Sequence, residues 1–138
     1  MSTSLLFTII ILLLIITVLI LSRINSSKRL YKRKDRLLTT LEKLEEHIES
    51  ENEFERRDGI IRLDNLLAKA FNYRYGNDKK CGDNLKKSKK LFRRDTYQNL
   101  WSVHKLRNDI VHNNRSVSIE ESKNAYHIYK LCIRKILK

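Results

Sequence analysis

Between Leu5 and Leu21 the chain reads LLFTIIILLLIITVLIL, an apolar run broken only by Thr8 and Thr17. Both threonines can return their hydroxyl protons to carbonyls of their own helix, so neither prevents the segment from entering lipid. At ~1.5 Å per residue the run covers ~26 Å, slightly less than a ~30 Å hydrocarbon core. It therefore predicts one nearly upright transmembrane helix flanked by Ser4 and Ser22. A cleaved signal peptide needs positive charge before the apolar run and a small-residue cleavage site after it. Met1–Ser4 carries no charged side chain, whereas Arg23, Lys28, Arg29, Lys32, Arg33, Lys34 and Arg36 follow the run at once. The positive-inside rule then places the N-terminus outside and the rest in the cytoplasm, as a single-pass protein of the inner (plasma) membrane. The predicted organisation is an anchor over 1–24, a basic juxtamembrane segment over 25–36 and a domain over 37–138.

The 138 residues leave room for one small domain after the anchor and exclude a large two-lobed enzyme. Proline is absent and there are only 3 glycines, which favours long helices over punctuated turns. The expected fold class is all-α. The formal charge is +13 and all of it lies after Ser22, which points to anionic lipid headgroups, RNA, or both as partners. The juxtamembrane cluster is explained by topology and headgroup attraction alone. Cys81 and Cys132 are too few for a disulfide scaffold and suit a loop and a core position as free thiols.

Leu30, Leu37, Leu41, Leu44 and Ile48 recur at helical spacing, predicting a helix from Lys28 to about Ser50 that can continue the membrane span. Phe54–Tyr73 forms a second amphipathic pattern, slightly weakened by Gly59, and Tyr75–Asp83 carries the clearest loop signal. Asn84–Phe92, NLKKSKKLF, reads as a short lysine-rich helix. Asp95 with Gln98 resembles a capping box opening a third long helix to about His112. Ser118 with Glu121 repeats the signal for a last helix, Ile119–Leu137. Four amphipathic helices with short links predict an antiparallel four-helix bundle.

The segment Leu100–Asn114, LWSVHKLRNDIVHNN, holds the one constellation suited to chemistry. Arg107 and His112 stand about 140° apart on a helix, with Asn108 between them and His104 on the same flank. They line a groove and do not form a stripe. The arginine can also hold helix-end carbonyls or an acid such as Asp64, and His104 can pair with Asn108 at i, i+4. His47 and His127 sit among charged residues and read as solvated. Trp101 and Tyr73, Tyr75, Tyr97, Tyr126 and Tyr129 suit core or dimer contacts. Lys86, Lys87, Lys89, Lys90, Arg93 and Arg94, with Lys79 and Lys80 before them, are the best candidates for phosphate contacts, because topology asks for no charge so far from the membrane. Neither a carboxylate cluster nor a Cys/His spacing suggests a metal, and no cofactor is expected.

The pattern R-N-x-x-x-H, on the third long helix and followed by a capped last helix, resembles the R-x(4–6)-H motif of the HEPN superfamily over about Asp35–Leu137. The block from Gly82 through NLKKSKKLF to HKLRNDIVHN is also similar to short bacterial membrane-anchored proteins. The resemblance implies RNA binding and metal-independent RNA cleavage at a homodimer interface. It makes His112 the acid or base at the ribose 2′-hydroxyl, Arg107 the phosphate ligand and Asn108 the group that positions either. The competing reading is a non-enzymatic membrane adaptor or self-associating bundle.

Overall fold

The computed structural model describes residues 2–138, so Met1 of the predicted 1–24 anchor lies outside the described residues. Every regular element among them is a helix. The chain divides into two compact units, Met1–Asp35 and Arg36–Lys138.

The first unit belongs to helix α1, Thr3–Lys43. Its large apolar side chains between Leu5 and Leu21 are 41–65% exposed, so nothing in the chain removes them from solvent. The helix is long and apolar enough to cross a membrane. Thr8 Oγ1 donates to the Leu5 carbonyl at 2.8 Å and Thr17 Oγ1 to those of Leu13 and Leu14 at 3.0 and 2.8 Å, the back-bonding the sequence predicts. The helix passes without a break through residues 25–36, where Arg23, Lys28, Arg29, Lys32, Arg33 and Arg36 are exposed and Lys34 is half-buried. Leu30, expected on the apolar face, is instead 51% exposed.

The second unit contains the end of α1, then α2 (Glu45–Glu49), α3 (Glu53–Tyr75), α4 (Cys81–Lys87), a 3-10 turn (Ser88–Leu91), α5 (Arg94–Asn113) and α6 (Ile119–Ile136). Helix α3 is central: it packs on α2, α4, α5 and α6, while α6 also meets α2 and α5. The predicted apolar faces converge. Leu37, Leu41, Leu44 and Ile48 meet Ile60, Leu63, Leu67 and Phe71, and Leu100, Val103, Ile110, Tyr129, Cys132 and Ile133 complete the core. Each such side chain taken fully from water contributes ~1.5–3 kcal/mol.

Three boundaries differ from those the sequence predicts. The helix expected to reach about Ser50 does run on to Glu49, with a loosened turn at Leu44 (φ −72°, ψ −13°) that separates α1 from α2. No glycine or proline announces this turn; buried groups of α6 hold it. Tyr126 donates its hydroxyl to the Leu41 carbonyl at 3.2 Å and Ser122 Oγ donates to that of Ile48 at 2.8 Å. Secondly, the loop after α3 is shorter than Tyr75–Asp83, because α4 already starts at Cys81. Gly76 caps α3 at φ 58°, the left-handed region that glycine enters without penalty. Fully buried Asn84 then exchanges amide hydrogen bonds with Asn77 and donates to Asn72, all at 2.9 Å, fixing α4 to the end of α3. Thirdly, α5 begins at Arg94 after an extended Arg93 that makes no side-chain cap, so the expected Asp95–Gln98 capping box does not form. The Ser118 box does form, with Oγ accepting from the Glu121 N–H at 3.1 Å.

Buried Arg56 ties three segments together. Its Nε and NH2 groups donate to the Val117 carbonyl at 3.1 and 2.9 Å, and NH1 donates to those of Ser50 and Glu51 at 2.8 and 2.9 Å. Both loops flanking the core are thereby anchored to α3.

Candidate functional site

A carboxylate placed in an apolar core must be compensated, and Asp64, in the middle of α3 and 3% exposed, recruits groups from three other helices. His104 of α5 brings Nδ1 to 2.8 Å from Asp64 Oδ1. Because the carboxylate can only accept, Nδ1 is the donor of this bond. Tyr129 of α6 sets its hydroxyl 3.1 Å from the same oxygen and 3.0 Å from the Val103 carbonyl, so its one proton has two acceptors within reach. Cys81, the first residue of α4, directs its thiol to Asp64 Oδ1 at 4.0 Å. Arg107 of α5 brings Nε to 3.7 Å from Oδ2 and donates from NH1 to Asn108 Oδ1 at 3.0 Å.

The electrostatics follow from burial. The Cys81 thiol is pushed far above its ordinary range, first by burial and then by the Asp64 charge, with Arg107 opposing. Tyr129 is raised well above its usual value for the same two reasons. Both stay protonated near neutrality, so Cys81 is a thiol donor there and not a nucleophilic thiolate. Cys132 lies in the apolar core and burial pushes it up to about 12.

The structure separates the residues of the R-N-x-x-x-H motif by environment. Arg107 is partly buried and turned toward Asp64, the acid that the sequence offers as its structural partner, and Asn108 is half-buried beside it. His112 is exposed in the last turn of α5. Among the described residues no hydrogen bond joins it to Arg107, to Asn108 or to any other group. That last turn is held by neighbours: Asn114 ends the helix in the left-handed region, and Arg57 of α3 donates to the Ile110 carbonyl at 3.4 Å and to Asn114 Oδ1. The pairing of His104 with Asn108 that i, i+4 spacing suggests does not occur; each has a stronger partner in Asp64 and Arg107.

The second candidate feature is a basic ridge formed by the loop after α3, α4, the 3-10 turn and the start of α5. Lys79, Lys80, Lys86, Lys87, Lys89, Lys90, Arg93 and Arg94 are all exposed, with Asp83 between them and Asp78 and Asp95 at the two ends. Lys87 lies over the Tyr75 ring at 4.5 Å. Among the described residues none of the eight takes part in an ion pair. The opposite situation holds on α6, where Lys123, Lys130 and Arg134 reach Glu49, Glu42 and Glu45. The hydrogen bond from Lys130 and then that from Arg134 hold the Glu42 carboxyl below its ordinary range.

The aromatic residues serve the core. Tyr126 and Tyr129 are buried, while Tyr73, Tyr75, Tyr97 and Trp101 pack half-buried against it, and Trp101 meets the His104 ring edge-on at 5.8 Å. His127 is exposed, as expected, but His47 is half-buried with Nδ1 out of water and without a hydrogen bond. Sequence reasoning named Asp64 only as a partner for Arg107 and missed its convergence with Cys81, His104 and Tyr129. The only hint was an aspartate at a core-facing position of an otherwise apolar pattern. No family model matches the chain, and no curated protein or solved structure is significantly similar to it.

Proposed function

We propose that this chain is a single-pass membrane protein whose antiparallel, HEPN-like four-helix bundle binds RNA at the cytoplasmic face of the plasma membrane. The observation that carries the reading is the ridge of eight exposed basic side chains between Lys79 and Arg94, which no acid neutralises among the described residues. Charge left unpaired on a folded surface is available for phosphates, and each phosphate contact releases condensed counterions. Lys86, Lys87, Lys89, Lys90, Arg93 and Arg94 are the contact residues. Arg23–Arg36 faces the headgroups, fixes the N-out orientation and holds the body near the bilayer.

Chemistry in this reading belongs to the Arg107–His112 segment. His112 is solvated, and imidazole is the side chain suited to exchange protons near neutrality, so it can remove the 2′-hydroxyl proton of a bound ribose. Arg107, half-buried beside Asp64, supplies positive charge to the developing phosphorane, and Asn108 positions it by accepting its hydrogen bond. A second copy of the chain would provide the acid for the leaving 5′-oxygen.

The test uses the full chain in detergent micelles with single-stranded RNA. Replacing Lys86, Lys87, Lys89 and Lys90 by alanine should weaken RNA binding at least tenfold, while neutralising Lys28, Arg29, Lys32 and Arg33 should leave it within about twofold. Equal loss from both sets, or from neither, contradicts the ridge as the RNA surface. Wild-type cleavage in chelator that is abolished by His112→Ala supports the catalytic assignment; cleavage unchanged by that variant refutes it. A chain that binds no RNA but associates with itself or with a protein is the adaptor that the sequence also allows.

A further inference from the structure

Asp64, Cys81 and His104 offer a carboxylate oxygen, a sulfur and an imidazole nitrogen that all lie within 4.8 Å of one another, brought together from α3, α4 and α5. We propose that these three side chains form a binding site for a borderline divalent transition-metal ion of the zinc class. The donor set selects the ion: one thiolate and one imidazole exclude magnesium and calcium, which take oxygen ligands, and suit tetrahedral Zn2+ or Co2+. Around a tetrahedral zinc, such ligand atoms stand about 3.3–3.6 Å apart. Here the oxygen and nitrogen are 2.8 Å apart and the oxygen and sulfur 4.0 Å, so side-chain adjustments on the order of 1 Å create the cage.

The surroundings accommodate the change at Asp64 and Tyr129. Asp64 Oδ1 becomes the ligand, and Tyr129, whose hydroxyl now stands near that oxygen, keeps the Val103 carbonyl at 3.0 Å as acceptor. Asp64 Oδ2 stays with Arg107, which lies on the far oxygen and orients the carboxylate from outside the coordination sphere. His104 shifts its proton from Nδ1 to Nε2 and ligates through Nδ1. Cys81 loses one proton to solvent, so binding releases one proton per ion. Carboxylate and thiolate together neutralise the dication. Three protein ligands leave a fourth position for water. Cys81 opens α4, so an ion here would clamp the start of the basic ridge to α3 and α5.

This site stands apart from the RNA reading and is tested without RNA. The untagged full chain in detergent, stripped with chelator and titrated with Co2+, should bind one equivalent. The visible bands of tetrahedral cobalt and a near-ultraviolet thiolate-to-cobalt charge-transfer band should appear. Cys81→Ser should abolish the charge-transfer band and weaken binding at least tenfold, while Cys132→Ser should leave both unchanged. Helical circular dichroism of each variant separates lost binding from lost folding. A wild-type chain that shows no cobalt bands overturns the proposal. So does a charge-transfer band that survives in folded Cys81→Ser.

Discussion

A methyl group added at Gly59 would stand 2.9 Å from Ile48 Cδ1 and 3.2 Å from His47 Cβ, closer than side-chain atoms pack. Helix propensity alone makes this glycine a weak point of α3, worth ~1 kcal/mol to replace by alanine. The structure reverses the sign, because the missing side chain is what lets α2 lie against α3. Gly59→Ala should therefore bring no gain and destabilise the protein by up to ~2 kcal/mol, the overpacking cost less the propensity gain, measured by thermal unfolding of the full chain in micelles. Higher stability would show that Ile48 and His47 yield freely. At this scale the sequence discloses apolar residues well and charged ones poorly. Leu41, Leu63 and Ile133 are legible from periodicity, whereas Arg56 and Asp64 carry no mark that distinguishes a buried charge from a solvated one. Their roles depend on carbonyls and side chains 40–65 residues away in the chain, such as Val117, His104 and Tyr129.

Helix ends show the same division. Ser118 and Asp95 present the same short pattern, yet only Ser118 caps, because α5 has already begun at Arg94 and Asp95 falls inside its first turn. Ser118→Ala should cost ~1 kcal/mol and Asp95→Ala no more than the ~0.3–0.5 kcal/mol of a charge near the helix dipole. Equal losses in thermal unfolding would restore the capping box at Asp95. The loosened turn at Leu44 was illegible, since Ser122 and Tyr126, which bond the carbonyls of Ile48 and Leu41 on either side of it, sit on α6. The long helices α3, α5 and α6 were legible because each has a continuous apolar stripe. The packing of α4 and α6 also sets an alkaline limit. Burial raises the Cys81 and Cys132 thiols above their unfolded values, so their contribution is complete below about pH 8.5, the ordinary thiol value. It is lost as pH rises toward the folded values. Stability should fall by up to ~2–3 kcal/mol per pH unit above about pH 9, and Cys132→Ala should flatten that slope. A slope unchanged in that variant would mean the thiols do not drive it.

Across the whole molecule, charge is sorted by what it touches. Glu42 of the α1 end and Glu45 and Glu49 of α2 are matched by Lys123, Lys130 and Arg134 of α6, and so give the body internal contacts and little field. Such exposed pairs contribute little stability. The surplus collects in two places, the stretch after the apolar run and the ridge from Lys79 to Arg94. The first was legible as a topology signal, because it directly follows seventeen residues with no charge at all. The ridge was legible as a lysine-rich segment; its lack of acidic partners became visible only in the folded body.

The most direct measurement is RNA affinity of the full chain as a function of salt. About five neutralised phosphates on single-stranded RNA give a slope of log affinity against log salt near −3.5, or a loss of roughly 100-fold between 50 and 200 mM. The account predicts that loss and a slope shallower by about 3 when Lys86, Lys87, Lys89 and Lys90 are replaced by alanine, with headgroup contacts held constant in neutral detergent. Salt-insensitive binding, or a slope unchanged in the ridge variant, would contradict it.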